Sequence, residues 1–149
     1  MPYPTDGKFE KVRDALRTLG RSRREIAAVY LFGSSATGKA GPLSDLDVAV
    51  LIDETRVKPR KFFDLRLGFI TDAMESCRRF DVDVILLNEA PPLLAYEVVS
   101  VGSLLYERNH AGRVDFEART LQRYLDLKPF LETSRKYLKR RLKNGTFGG

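Results

Sequence analysis

The chain has almost none of the residues that staple or ligate: one of its 149 residues is cysteine, Cys77, and one is histidine, His110. That excludes an internal disulfide, a zinc cluster, and a Cys/His dyad with supporting histidines. Any metal chemistry falls to carboxylates. No apolar run approaches the roughly 20 residues that a membrane-crossing helix needs. The opening MPYPTDGKFE carries neither the basic nor the apolar stretch of a secretory leader, so a cytoplasmic location is expected. Internal repeats and low-complexity linkers are missing as well. What remains is 43% apolar and 31% charged, ordinary for one globular domain with a real core. Lys and Arg number 26 against 20 Asp and Glu, and the resulting +6 favours a polyanionic ligand or an acidic partner surface without separating the two.

The stretch from Ile26 to Asp53, IAAVYLFGSSATGKAGPLSDLDVAVLID, holds the chemistry. Its apolar runs Ile26 to Phe32 and Val48 to Ile52 have the length of buried strands, and a Gly/Ser-rich crossing separates them. Gly33 and Ser34 close the first run; Asp45 and Asp47 open the second. Side chains alternate along a strand, so residues two apart share a face, and two adjacent anions repel unless a cation lies between them. Oxygen-seeking Mg²⁺ suits such a pair. A glycine-serine turn directly after a strand lets backbone N–H groups approach phosphate oxygens. Further on, Val82 to Leu87 reads as a third buried strand, with Asp81 and Asp83 at its start on one face, and one of them should complete the metal site.

Other segments frame this site. Phe9, Val12, Leu16 and Leu19 recur at helical spacing, with Asp6 and Gly7 ahead and Gly20 as the expected stop. Arg21, Arg23 and Arg24 read as a solvated loop. Pro59 to Phe80 fits a long amphipathic helix with Cys77 on its apolar side. Pro91 and Pro92 open a helix through Val101, and Ser103 to Glu107 makes a fourth strand. Ala111 to Lys143 is strongly helical, with a break or kink expected at Pro129 and more apolar residues than one modest sheet needs as cover. Its basic end, Arg135 to Lys143, reads as a solvated helix terminus, and the closing GTFGG as frayed. Ser34 to Thr37 is expected to start a short helix facing the phosphates, Ser44 either donates to a phosphate or caps its turn, and Lys39 is either a phosphate contact or solvated.

Gly33-Ser34, ten residues, then Asp45-Leu46-Asp47 resembles the GS-x10-D-x-D signature of the DNA polymerase beta-like nucleotidyltransferase superfamily. LLNEAPPLLAYEVVSVGSLLYERN and DFEARTLQRYLDLKPFLE look like the minimal nucleotidyltransferase (MNT) antitoxins encoded with HEPN toxins, extending the likeness over nearly the whole chain. The resemblance implies an α/β (α+β) nucleotidyltransferase fold, a small mixed sheet packed against helices. Residues 1–109 would form the minimal domain and 110–149 a C-terminal helical extension of it. It selects Asp83 as the third carboxylate, because the family's own precedes an apolar run ending in Leu-Asn, as in Leu87-Asn88.

The likeness further implies Mg²⁺ on Asp45, Asp47 and Asp83, and ATP as AMP donor with Gly33, Ser34, Ser44 and Lys39 toward its phosphates. The implied activity is that of an antitoxin of a type VII pair, which transfers AMP to a tyrosine of its cognate HEPN ribonuclease in a hetero-oligomer. Direct nucleic-acid binding and membrane association are not expected. One departure stands out: Thr37 occupies a position where many relatives carry arginine, with Lys39 the candidate replacement. Three alternatives remain: a small-molecule adenylyltransferase, a template-independent RNA nucleotidyltransferase, and an antitoxin acting by binding alone.

Overall fold

The computed structural model describes residues 7–33 and 45–143. Four strands, β1 (Ile26–Phe32), β2 (Leu46–Ile52), β3 (Val82–Leu86) and β4 (Ser103–Glu107), make one sheet in the order β3-β2-β1-β4. β1 is antiparallel to β2 and to β4, whereas β2 and β3 run parallel. A parallel pair needs a crossover, and here it is α2 (Phe62–Cys77), entered through a short 3-10 turn at Pro59–Lys61. The remaining described helices are α1 (Gly7–Ser22), α3 (Pro92–Val101) and α4 (His110–Lys143).

Both faces of the sheet are covered, which is why the central strands read as unbroken apolar runs. On one side Val29, Leu31, Val48, Val50 and Val84 pack with Leu16 of α1 and Phe69 of α2. On the other, Tyr30, Phe32, Ala49 and Leu51 pack with Val98 of α3 and Phe116 of α4. Ala27 and Ala28 both turn to this second side because the β1–β2 register slips between Ile26 and Ala28, a bulge that sends two successive residues one way. Tyr30 donates its hydroxyl to Glu117 at 2.7 Å. Arg113 pairs with Glu117 at 2.9 Å and also with Glu107, joining the end of β4 to α4.

The two outer strands are guarded. Arg17 of α1 donates Nε to the Leu105 carbonyl of β4 at 3.1 Å, and Arg66 of α2 donates Nε to the Val84 carbonyl of β3 at 2.6 Å. At the far end of β2, Asn88 donates Nδ2 to the Ile52 carbonyl at 2.9 Å and accepts the Ile52 N–H on Oδ1 at 2.7 Å.

Several boundaries differ from expectation. Gly20 does not stop α1, which runs to Ser22; a Cβ there would lie 2.9 Å from both Tyr106 and Val29, so the glycine lets helix and sheet approach closely. α2 ends at Cys77 rather than Phe80, because Arg78 takes a left-handed conformation at φ 53° and turns the chain. Leu87 belongs to a 3-10 turn after β3. α4 is continuous through Pro129, with its turns on either side satisfied by the rest of a 34-residue helix. Arg23 is not a solvated loop residue: it pairs with Asp72 and, at 3.5 Å, with Glu25. Cys77 is half-buried against the α1/α2 core as expected, and burial pushes its thiol up. The expected helix at Ser34–Thr37 and the closing GTFGG lie outside the described residues. Among the described residues no helix is long and apolar enough to cross a membrane.

Candidate active site

The site follows from one alternation. Leu46, Val48 and Val50 bury toward α1 and α2, so Asp47 projects to the opposite side, that of Ala49 and Leu51. Further along β2 that side is sealed; at the strand's start it is open, and Asp47 is only half-buried. In β3, Val82, Val84 and Leu86 bury toward the same core as Leu46, leaving Asp83 exposed on the face of Asp47. The parallel register sets Asp47 directly beside Asp83 and pairs Phe32 with Asp47 from the other neighbour. Asp45 is exposed, immediately before β2.

Asp47 feels both of the other carboxylates. Partial burial, then the charge of Asp83 and then that of Asp45, push the Asp47 carboxyl above its ordinary range. Anions gathered in this way favour an intervening cation. Gly33, after β1, has φ +70°, and a Cβ on it would collide with Asp47 Oδ2 and stand 3.2 Å from Cγ. The absent side chain thus leaves room first for the aspartate carboxylate. Among the described residues no three acidic, cysteine or histidine side chains already stand as an assembled ligand shell. The oxygen-only donor set suits a hard divalent cation.

Two arginines that the sequence reading did not assign flank the cluster. Arg79 grips Asp81 through Nε–Oδ1 at 2.8 Å and Nη2–Oδ2 at 2.5 Å; this hydrogen bonding holds Asp81 below the usual carboxylate range, and Arg79 also senses Asp45. Asp81 is therefore committed to a salt bridge. Arg66 places Nη2 3.7 Å from Asp83 Oδ1. The Arg79–Asp81 spacing was visible in sequence; the approach of Arg66 from α2 depends on tertiary packing and left no local signal. Ser34, Lys39 and Ser44, expected toward the phosphates, and Thr37 lie outside the described residues.

A small mixed sheet with paired aspartates at the start of one central strand and a third on its parallel neighbour defines a nucleotidyltransferase-type domain. The profile of the family described as "Polymerase beta, Nucleotidyltransferase" matches residues 14–111, and the chain belongs to that family. It is similar to the protein adenylyltransferase MntA of Aphanizomenon flos-aquae, at 28% identity over 112 residues, 72% of this chain and 75% of the relative. Among solved structures, a toxin-antitoxin with AMP-PNP contains a chain 23% identical, with TM-score 0.69, covering 85% of this chain and 98% of that one. A complex of tri-AMPylated Shewanella oneidensis HEPN toxin with MNT antitoxin gives 21% identity and TM-score 0.66, over 88% of this chain and 98% of that one. At these identities the solved structures show the shared fold.

Proposed function

We propose that this chain is an antitoxin that transfers AMP from ATP to a tyrosine of a partner HEPN toxin and thereby silences it. The observation that carries the reading is the position of Asp45, Asp47 and Asp83 at one end of adjacent strands beside Gly33, with the Asp47 carboxyl raised by partial burial and by the other two charges. The MntA relative supports AMP as the transferred group, and the solved toxin-antitoxin neighbours support a HEPN protein as acceptor.

Asp45 and Asp47, with Asp83, would hold Mg²⁺, which when bound supplies neutralisation of phosphate charge. Gly33, with Ser34, Ser44 and Lys39, would receive the triphosphate. Asp83, exposed and next to Asp47 in the register, would take the proton of the acceptor hydroxyl. The hydroxyl oxygen bonds to the α-phosphorus, the bond from that phosphorus to the bridging oxygen breaks, and pyrophosphate leaves. The product is a tyrosyl-AMP ester.

A second reading is neutralisation by binding alone, favoured by apolar side chains left exposed along α4, among them Leu121, Leu125, Phe130 and Leu142. Incubating the chain with its HEPN partner, ATP and Mg²⁺ and weighing the partner by mass spectrometry separates the two. Gain of AMP that disappears in Asp45→Asn and Asp47→Asn supports transfer. Neutralisation with no gain in mass leaves the binding module.

A further inference from the structure

We propose that Phe80 is the anchor by which the chain grips its acceptor protein, an inference that rests on the transfer reaction proposed above. The ring is 91% exposed, the most open of the large apolar side chains described. A phenylalanine left in water has forgone the burial that draws such residues inside, yet this one is not carried on a loose loop. Arg78 ends α2 in the left-handed conformation at φ 53°, and the Arg79 N–H returns to the Met74 carbonyl at 3.0 Å. The Arg79 side chain then clamps Asp81 through two hydrogen bonds. Asp81 accepts the Leu46 N–H on its backbone oxygen at 2.8 Å, which fixes the turn to the β2 residue lying between Asp45 and Asp47. Phe80 is thus flanked on both sides by a residue in this clamp, one residue from the backbone bond that ties Asp81 to Leu46.

A ring carried on a fixed backbone loses no main-chain freedom when it is covered, which favours it as an interface anchor. Arg78, next to it, is exposed and makes no ion pair among the described residues. The surface that fits this turn is therefore an apolar pocket with an acidic group at its rim, close to the hydroxyl that receives AMP. Docking there would bring the acceptor hydroxyl to Asp83 while leaving the nucleotide side of the site, at Gly33, untouched.

The test uses the full chain with its acceptor protein. Phe80→Ala is expected to raise KM for the acceptor at least about tenfold, with kcat and the affinity for a fluorescent ATP analogue nearly unchanged. An unaltered acceptor KM overturns the proposal. So does a parallel loss of ATP-analogue affinity, which would set the ring against the nucleotide instead. If the wild-type chain transfers no AMP, the reaction reading fails on its own, and calorimetry of the complex decides the anchor: binding at least about tenfold weaker with Phe80→Ala sustains it, and equal binding refutes it.

Discussion

Replacing Gly33 by alanine probes the site through a single methyl group. Two costs follow from the structure. At φ +70°, a side chain meets the left-handed penalty of about 1–2 kcal/mol. The new Cβ also overlaps Asp47 Oδ2 and stands 3.2 Å from Cγ, so the carboxylate must swing off its preferred rotamer at about 0.5–1.5 kcal/mol. Gly33→Ala should therefore lower unfolding stability by about 1.5–3.5 kcal/mol in total. The parts separate in a double-mutant cycle with Asp47→Ala, read by urea denaturation. Without the carboxylate there is no collision, so in that background Gly33→Ala costs only the left-handed part, and the cycle closes with a coupling of about 0.5–1.5 kcal/mol. AMP transfer by the single variant should drop at least about tenfold, because a displaced Asp47 no longer faces Asp83. Equal costs in the two backgrounds would show that the carboxylate does not lie over the glycine, and the geometric basis of the site would be lost.

The elevated Asp47 carboxyl predicts an unusual trade. Its folded-state pKa lies above the unfolded value, so its contribution to stability is full below the unfolded pKa and is lost as pH rises through the folded one. At neutral pH the charge is a net cost, and Asp47→Asn should melt higher than wild type in EDTA, an advantage that is lost as pH falls below the unfolded carboxyl's range. Mg²⁺ should raise the melting temperature of wild type and not of Asp47→Asn; a variant that melts lower at neutral pH argues against repulsion at the site. Asn88→Ala removes both hydrogen bonds to Ile52 and should cost about 2 kcal/mol in urea denaturation while leaving ATP-analogue binding intact. A loss below about 0.5 kcal/mol would mean that Asn88 does not fasten the end of β2.

The apolar runs at Ile26–Phe32 and Val82–Leu86 were readable as strands because both sheet faces are buried, and the alternation around Asp47 pointed to the exposed face from sequence alone. Family likeness singled out Asp83 over Asp81; in the structure Asp81 is gripped by Arg79. What escaped depends on neighbours distant in sequence. Gly20 looks like a helix stop until Tyr106 and Val29 are seen against it. Arg78 gives no sign of a left-handed turn, since arginine rarely adopts one. Arg66 reaches Asp83 across α2 and β3, a meeting no local pattern encodes.

The arginines that α1 and α2 lay against β4 and β3 limit how this protein can be recognised. A visiting peptide that sought to lengthen the sheet would have to evict a guanidinium from Val84 or from Leu105 before its own N–H could bond there. Partners are thereby steered toward contacts made by side chains. The same blockade opposes runaway stacking of copies when the protein is crowded.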